Sequence, residues 1–349
     1  MQKSPIHPFS ATIMAWYVEH QRELPWRQTK DPYAIWLSEI ILQQTRVAQG
    51  LPYYERLLAA FPTVRDLAEA PEASLLRLWQ GLGYYSRARN LQKAAQMVVR
   101  EFSGSFPQTY DQIIRLPGVG PYTAAAIASF AFNEAKAVVD GNVYRVLSRV
   151  FAVETDIASS AARGVFTSLA QSLIPSQDPA TFNQAIMEFG ALQCVPKSPN
   201  CEACIFNESC AALQKKKVDQ LPVKLKKLKV RNRFFNYLIF SDEAENTIIQ
   251  KRTDKGIWHN LYEFPLIESE KEEDFKTISK QIQNDFQYLN ILTIGEENSK
   301  SIIHKLSHQH LHIKFWNVKV GETLPNGINK TDLKTYPFPI VLHNFIEAN

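Results

Sequence analysis

Residues 116–132, LPGVGPYTAAAIASFAF, decide the fold of the N-terminal part of the chain. Two glycines, Gly118 and Gly120, follow Pro117 and predict a tight turn. Pro121 then suits the first position of a helix, where a missing backbone N–H costs nothing. We therefore predict a hairpin of two helices, whose exposed backbone N–H groups can hold one phosphate. Taken alone, the pattern fits an ordinary helix–turn–helix connection equally well.

The region around this hairpin, from residue 10 to about 213, is predicted to be helical throughout, because no strand-like alternation occurs in it. Ser10 is predicted to cap the first helix and Pro52 to break a later one. Gly81 and Gly83 predict a bend between two helical pieces. Further helices are predicted near residues 108–115, 121–132, 143–152, 163–173 and 180–192.

The composition changes after this helical region. Residues 215–233, KKKVDQLPVKLKKLKVRNR, hold nine Lys or Arg and one Asp. Such a run is typical of a solvated linker, here residues 214–233, and it can also lie along a phosphate backbone. Beyond it, strands are predicted at residues 234–240, 247–252 and 312–320, and a helix at 272–286. We therefore expect an α+β domain over residues 234–349.

All four cysteines of the chain lie within seventeen residues, with the spacing C-x6-C-x2-C-x5-C. Structural zinc sites usually combine two close pairs or add histidines, and this stretch has one close pair and no histidine. An all-thiolate set in a tight loop favours a [4Fe–4S] cluster, although spacing alone leaves zinc and a metal-free loop open. The predicted ligands are Cys194, Cys201, Cys204 and Cys210.

The bulk composition is that of an ordinary soluble globular protein, with 45% hydrophobic and 21% charged residues. No run of about 18 apolar residues is present, so no membrane span is expected. The N-terminus lacks the pattern of a secretion signal, which predicts a cytoplasmic protein. The net charge of +4 permits a polyanionic partner without requiring one.

Taken together and in order, these motifs resemble the helix-hairpin-helix DNA glycosylase superfamily, and within it the adenine glycosylases of the MutY type. The resemblance covers nearly the whole chain. It implies a mostly α N-terminal region over residues 1–213, with the hairpin at 116–120 and an iron–sulfur loop at 194–210, followed by an α+β Nudix-like domain. The matching stretches are LPWRQTKDPYAIWLSEIILQQTRV (24–47), GLGYYSRARNL (81–91), the hairpin, VDGNV (139–143) and the cysteine spacing.

The resemblance implies a monofunctional adenine DNA glycosylase of base excision repair. Such an enzyme flips adenine out of an A:8-oxoguanine or A:G mispair in double-stranded DNA and hydrolyses its N-glycosidic bond. We expect a monomer with a [4Fe–4S] cluster and no membrane partner. The related endonuclease III branch carries a nucleophilic lysine where this chain has Tyr122, and a tyrosine forms no Schiff base. Alternatives are a pyrimidine-damage glycosylase and a DNA-binding iron–sulfur protein without catalysis.

The chemistry needs an acid for the leaving base and a carboxylate for the sugar cation. Glu39 lies in the apolar stretch IWLSEIIL, where burial would raise the pKa of a carboxyl group, although the residues alone favour an ordinary surface glutamate. The resemblance makes Glu39 the acid that protonates adenine at N7. Asp140 precedes a helix, where capping is the ordinary role, and the resemblance makes it the carboxylate that stabilises the oxocarbenium ion. Tyr122 and Asn142 match residues that organise the same site.

The resemblance also implies contacts with the flipped base and the opened stack. Arg27 and Gln184 match positions that line the adenine pocket, and some relatives have an acid at the second of these positions. Gln43, Gln44 and Tyr84 match residues that enter the base stack near the opposite base, where amides and aromatic rings are suitable wedges.

The C-terminal segment at 254–270, DKGIWHNLYEFPLIESE, resembles the start of a Nudix fold. The metal-binding pattern R-E-x-x-E-E does not follow it, so we expect a recognition module. The resemblance assigns Ser307 and His308 to a loop that reads 8-oxoguanine, with Leu306 where many relatives have phenylalanine. A metal site at His308, His310 and His312 is a weaker alternative to an exposed polar strand. The remaining predicted DNA contacts are Arg46, Gly118, Val119 and Gly120.

Overall fold

The computed structural model describes residues 6–225 and 230–348. Its chain forms two compact units. The first unit contains the described residues up to Ala70 and those from Asn90 to 225. The second unit contains Pro71–Arg89 and the described residues from 230 onward. The boundaries 1–213, 214–233 and 234–349 remain predictions.

The first unit is helical, as predicted, and no strand occurs among its described residues. Helix α5 and the first residues of α6 belong to the second unit. The helices before the basic segment are α1 (Pro8–His20), α2 (Pro32–Ile41), α3 (Val47–Ala60), α4 (Val64–Glu69), α5 (Glu72–Leu78), α6 (Ser86–Phe102), α7 (Tyr110–Ile113), α8 (Pro121–Phe132), α9 (Gly141–Val150), α10 (Ala162–Leu173), α11 (Pro179–Leu192) and α12 (Ala211–Gln214), with a short 3-10 helix at Pro25–Arg27.

The predicted hairpin forms between α7 and α8. Gly118 has a positive φ of 77°, and a Cβ atom added there would lie 2.6 Å from the Cβ of Asn90. Only glycine fits this position, because both the backbone conformation and the close approach exclude a side chain. Gly120 is the N-cap residue of α8 and Pro121 is its first residue, as the sequence predicts.

The predicted cap at Ser10 is wrong. Helix α1 begins earlier, and its N-cap is His7, whose ring nitrogen accepts a hydrogen bond of 3.2 Å from the backbone of Phe9. Ser10 is fully buried inside the helix, and its hydroxyl donates a 2.6 Å hydrogen bond to the carbonyl oxygen of Leu173. The Ser10 hydroxyl therefore binds a carbonyl group far away in the sequence and does not cap the helix.

The break predicted at Pro52 is also wrong, because this proline lies inside α3. Its ring removes one backbone donor, which would normally bind the carbonyl of the residue four positions earlier. Tyr54 and Leu57 are buried further along the same helix, and their packing keeps it continuous. The bend predicted at Gly81 and Gly83 is confirmed, since both residues have positive φ angles, of 92° and 74°.

The second unit is built on a mixed sheet with the order β5-β1-β8-β6, in which β7 also pairs with β8. Strands β1 and β8 are parallel, and the other pairs of this sheet are antiparallel. Helix α13 contributes Ile278 and Ile282 to the core beneath this sheet. The strands are β1 (Arg231–Ser241), β2 (Asn246–Thr247), β3 (Gln250–Lys251), β4 (Tyr262–Glu263), β5 (Leu266–Ser269), β6 (Ile291–Glu296), β7 (Ile302–Lys305), β8 (Gln309–Val320) and β9 (Ile328–Asn329), and the helices are α13 (Phe275–Asp285) and α14 (Ile340–Ala348).

The single strand predicted at residues 247–252 is two short strands instead. Strand β2 pairs with β9, and β3 pairs with β4, so the chain changes partner between them. Within the described part of the basic segment, the carbonyl oxygen of Val223 accepts a 3.0 Å hydrogen bond from the Ile157 amide of the first unit. A 3-10 helix spans Val218–Gln220 within it. Residues 226–229 of the predicted linker lie outside the described residues.

Candidate active site

Glu39 is a buried carboxyl group in the middle of the first unit. It lies on α2, where eight neighbours in the helix are also buried, and it keeps only 7% of its surface exposed. Burial raises the pKa of Glu39 to about 7, against the effects of a hydrogen bond from Tyr122 and the positive charge of Arg27. Asp140 acts in the same direction as burial. Glu39 therefore carries its proton into the neutral range, as a general acid must.

Tyr122 lies on the first turn of α8 and joins Glu39 to a third element. Its hydroxyl is hydrogen-bonded to Glu39 and also lies 3.3 Å from the sulfur of Met187 on α11. Burial raises the pKa of Tyr122 well above its usual value, and the negative charges of Glu39 and Asp140 add to this. The Tyr122 hydroxyl consequently stays protonated. It acts on the Glu39 carboxyl group only as an uncharged hydrogen-bonding partner.

Asp140 is the N-cap residue of α9, as predicted. Its Oδ1 accepts a 2.8 Å hydrogen bond from the backbone of Val143, and its Oδ2 accepts one of 2.9 Å from the side chain of Asn142. Burial raises the pKa of Asp140, while these hydrogen bonds and the charge of Arg145 oppose the rise. The carboxylate is held in one orientation by groups that favour its charged form.

Arg145 connects this carboxylate with the cysteine loop. One guanidinium nitrogen, Nη2, donates hydrogen bonds of 2.8 Å to Asn142 Oδ1 and 2.6 Å to the carbonyl of Gly190. Its Nε donates a 2.7 Å hydrogen bond to the carbonyl of Cys194. A Cβ atom added at Gly190 would lie 2.7 Å from the Cβ of Asn142, so α9 and α11 approach here as closely as glycine allows.

Arg27 and Gln184, the predicted adenine contacts, are hydrogen-bonded to each other at 3.1 Å. The group that holds them was not predicted. Glu188, one turn after Gln184 on α11, is 1% exposed and accepts hydrogen bonds from both Arg27 and Arg22. A signal existed in the sequence, since Glu188 interrupts the apolar run AIMEFGAL much as Glu39 interrupts its own.

The predicted wedge residues occur in both units. In the first unit, the Gln43 amide donates a 3.3 Å hydrogen bond to Thr123, and Gln44 is exposed with a φ of 57°. In the second unit, Tyr84 is 47% exposed and has a φ of 48°. A positive φ is uncommon for residues other than glycine, so the backbone departs from helical geometry at both Gln44 and Tyr84.

Arg87 supports the turn that carries Tyr84. The Arg87 guanidinium donates hydrogen bonds of 3.2 and 3.1 Å to the carbonyls of Leu82 and Gly83 and lies 5.2 Å above the ring of Trp79. Burial lowers the pKa of Arg87 to about 10, which leaves it charged at neutral pH. The arginine thus fixes the carbonyl groups just before Tyr84.

The predicted recognition loop lies beside Tyr84 within the second unit. The hydroxyl groups of Tyr84 and Ser307 are hydrogen-bonded to each other. Both residues, with Leu306 and His308, line a cavity of about 380 Å³. Trp258 also lines this cavity and provides an aromatic wall. The remaining predicted DNA contacts are found on the hairpin, at Gly118, Val119 and Gly120, and at the exposed N-cap residue of α3, Arg46.

The four cysteines line one small cavity and form no disulfide bond. Arg149 Nη1 donates to the sulfur of Cys194 at 3.5 Å, and the backbone N–H of Phe206 donates to that of Cys204 at 3.4 Å. Such N–H donors stabilise thiolates, and an all-sulfur donor set with hydrogen-bonded sulfurs is what an iron–sulfur cluster requires. The residues therefore fit that group chemically.

The described residues contain no preformed metal-ion site. Within residues 6–225 and 230–348, no set of three or more His, Cys, Asp or Glu side chains is arranged to hold a metal ion, and this includes the four cysteines, whose fit to a cluster rests on their chemistry. His308, His310 and His312 accordingly form no metal site; the His312 ring stacks on Phe234 with centroids 4.6 Å apart. None of the helices in the described part of the chain combines the length and apolarity needed to cross a membrane.

Comparisons with known proteins agree with this division. Residues 37–170 match the model of the HhH-GPD superfamily of base excision DNA repair proteins, and residues 236–348 match that of the NUDIX domain. An adenine DNA glycosylase of Buchnera aphidicola (subsp. Baizongia pistaciae) is 34% identical over 325 residues, which cover 93% of this chain and 90% of the relative. A human adenine DNA glycosylase is 44% identical over 222 residues, which cover 61% of this chain and 41% of the relative.

Solved structures also resemble part of this chain. A thermostable thymine-DNA glycosylase matches with a TM-score of 0.56 and 31% identity, covering 59% of this chain and 95% of that one. A non-covalent complex of endonuclease III with DNA matches with a TM-score of 0.52 and 25% identity, covering 60% of this chain and 94% of that one. These likenesses confirm the predicted helical glycosylase fold.

Proposed function

The chain belongs to the family of adenine DNA glycosylases, and from that premise we propose that it hydrolyses the N-glycosidic bond of adenine mispaired with 8-oxoguanine or guanine. One observation carries the proposal. Glu39, with a pKa of about 7, is hydrogen-bonded to Tyr122, and the negative charge of Asp140 helps to raise this pKa, so a proton donor and a fixed carboxylate share one site. Glycoside hydrolysis requires an acid for the leaving group and a carboxylate beside the sugar, and these two residues supply them.

In the proposed reaction, adenine is flipped into the first unit, and Glu39 transfers its proton to N7. The bond between N9 and C1′ breaks, and its electron pair leaves with the base. Positive charge develops on the sugar, which the Asp140 carboxylate stabilises. Water adds to C1′ and gives its proton to a carboxylate of the site, so the products are free adenine and an abasic sugar.

Arg27 and Gln184 are the proposed contacts with the flipped base. The Nε atom of Arg27 can only donate a hydrogen bond, so the atom of Gln184 facing it must be the amide oxygen. The amide NH2 group of Gln184 is then left to donate to a ring nitrogen of the base. This arrangement supports recognition of a purine edge.

We propose that the enzyme is monofunctional, because Tyr122 stands where a lyase would need a lysine. Its hydroxyl stays protonated and cannot form a Schiff base with the abasic sugar. Strand cleavage after base excision should therefore require added alkali or heat. Borohydride trapping of the unmodified protein should give little covalent adduct, and efficient trapping would contradict this assignment.

The second unit is proposed to read the base opposite adenine. Tyr84, Ser307 and His308 line one cavity beside Trp258, and they combine hydrogen-bonding groups with aromatic faces. A hydroxyl and an imidazole can read the altered edge of 8-oxoguanine, and the exposed Tyr84 ring can enter the base stack. The proposed partner is duplex DNA, bound by a monomer in the cytoplasm.

We further propose that the four cysteines hold a [4Fe–4S] cluster. The cluster supplies a cross-link for the loop and takes no part in base hydrolysis. Arg149 and Phe206 hold two of the sulfurs, and Arg145 ties the carbonyl of Cys194 to the active site. Iron analysis should give about four iron per chain and the brown colour of such clusters. Stoichiometric zinc without iron would contradict this proposal.

Product analysis tests the proposed activity. Four duplexes that are identical except for one pair, A:8-oxoguanine, A:G, A:T or T:G, are incubated with the protein in excess, and the released bases are identified by mass. We expect free adenine from the first two duplexes only. Release of thymine from T:G, or of no base at all, would reject the proposal.

A further inference from the structure

Glu188 is a buried carboxylate for which the proposed reaction has no direct use. Its Oε1 accepts hydrogen bonds from the backbone N and the Nε of Arg22, at 2.9 and 2.8 Å, and from Nη1 of Arg27 at 3.0 Å. Its Oε2 accepts from Nη2 of both arginines, at 2.6 and 2.8 Å. Burial alone would raise its pKa, but the two arginines lower the pKa of Glu188 to about 2. The group is therefore charged throughout the working range of pH.

This clamp restrains Arg27 more than it restrains Arg22. The Arg27 side chain is 9% exposed and that of Arg22 is 38% exposed. Nη1 of Arg27 also donates a 3.0 Å hydrogen bond to the carbonyl of Arg22, and its guanidinium lies 5.6 Å from the ring centre of Tyr17. Both terminal nitrogens of the Arg27 guanidinium are thus bound to Glu188, while Nε donates to Gln184.

The charge of Arg27 also acts on Glu39. The groups that act on Glu39 from the elements around it are Tyr122 of α8, Asp140 at the start of α9, and Arg27. Arg27 opposes protonation of Glu39, whereas Asp140 favours it. Without a carboxylate partner, Arg27 would therefore lower the pKa of Glu39 further. Glu188 supplies the negative charge that offsets this effect.

We propose that Glu188 is a positioning residue, which fixes Arg27 for contact with the base and offsets its charge so that Glu39 stays protonated. The inference rests on the proposed function, because it needs Glu39 to be the acid. Glu188 touches neither the base nor the sugar in this account. It acts only through Arg27 and, through that residue, on Gln184 and Glu39.

The test is the pH dependence of adenine release under single-turnover conditions for the full-length protein and Glu188→Gln. Glutamine keeps the size and one acceptor of the side chain but removes its charge. We expect the alkaline limb of the profile to move to lower pH by about 0.5 unit, which is roughly a three-fold loss of rate on that limb. The conservative variant Glu188→Asp keeps the charge and should keep the limb near its original position.

A matched control is Glu154→Gln, which also removes one carboxylate from an ion pair, with Lys217, but does not act on Glu39. Its profile should coincide with that of the parent protein. If Glu188→Gln does not fold, the double variant Arg22→Gln/Glu188→Gln conserves net charge, still leaves Arg27 uncompensated, and must show the same displacement. Melting curves establish that each protein is folded.

The outcomes separate the two claims. A parent protein that releases adenine, together with a folded Glu188→Gln whose alkaline limb is unmoved, overturns the inference and leaves the proposed function standing. A parent protein that releases no adenine rejects the proposed function itself. A displacement in Glu188→Gln that is absent from both Glu188→Asp and Glu154→Gln supports the positioning role.

Discussion

The side-chain amide of Asn142 donates a 2.9 Å hydrogen bond to the carboxylate of Asp140, and its oxygen accepts one of 2.8 Å from Arg145. Because Arg145 also binds the carbonyl of Cys194, one arginine joins the proposed catalytic carboxylate to the cysteine loop. The orientation of the Asp140 carboxylate therefore depends on Asn142 and, through it, on Arg145.

The contact between α9 and α11 gives the first prediction. Gly190→Ala should lower the free energy of unfolding by about 1–3 kcal/mol and slow excision, because the new Cβ would lie 2.7 Å from the Cβ of Asn142. Gly164→Ala in α10 is the matched control, since no atom lies within 4 Å of its added Cβ. That change should stabilise the protein by up to about 1 kcal/mol. Denaturant unfolding of both variants measures the difference, and equal effects would contradict this reading.

The rate of excision should fall as the pH rises above about 7, because only protonated Glu39 can donate to the base and burial raises its pKa to about 7. Tyr122→Phe removes a hydrogen bond that lowers this pKa, so its alkaline limb should move to higher pH. Single-turnover rates between about pH 5 and 9 test both statements. A flat profile for the parent protein, or an opposite movement for Tyr122→Phe, would argue against Glu39 as the acid.

Glu39→Gln should abolish excision and also stabilise the protein at high pH. The folded-state pKa of Glu39, about 7, lies above its ordinary value of 4.5, so the native state holds a proton that the unfolded state releases between these values. Stability from this group is complete below about pH 4.5 and is lost as the pH rises through about 7. The variant avoids this loss, which amounts to roughly 3 kcal/mol.

Melting temperatures of Glu39→Gln and the parent protein measure this effect. They should nearly coincide at pH 4.5 and differ by several degrees at about pH 8.5, with the variant higher. A parent protein that melts at the higher temperature at alkaline pH would mean that ionised Glu39 is stabilised in the fold.

Ser307→Ala should reduce discrimination between 8-oxoguanine and guanine opposite adenine by about 1–3 kcal/mol, the scale of one good contact with a base edge. Ser307 hydrogen-bonds Tyr84 and lines the proposed reading cavity. Ser301→Ala is the control, because the Ser301 hydroxyl donates to Glu272 and does not line that cavity. The measured quantity is the ratio of single-turnover rates on the two duplexes, and an unchanged ratio in Ser307→Ala would remove this serine from recognition.

Local sequence patterns predicted much of this molecule. The hairpin followed from Gly118 and Pro121, because a positive φ and a helix start each favour one residue type. The cap at Asp140 was predicted for the same reason. Glu39 was singled out by the family resemblance, because the residues alone favoured an ordinary surface glutamate.

Features that depend on distant partners were not predictable. Ser10 looked like a cap, yet its hydroxyl binds Leu173, 163 residues away. No role was predicted for Glu188, because its role depends on ion pairs with Arg22 and Arg27. These pairs form only after α1 and α11 pack together. Tyr84 and Ser307 were assigned to DNA contact separately, and their mutual hydrogen bond is a tertiary feature.

The most direct test of the central claim is adenine release from an A:8-oxoguanine duplex by the parent protein and by Asp140→Asn. Asparagine is as good a helix N-cap as aspartate, so the variant should fold while losing the charge that stabilises the sugar cation. We predict stoichiometric adenine from the parent protein and essentially none from the folded variant in the same time. Release by Asp140→Asn at near the parent rate would contradict the account.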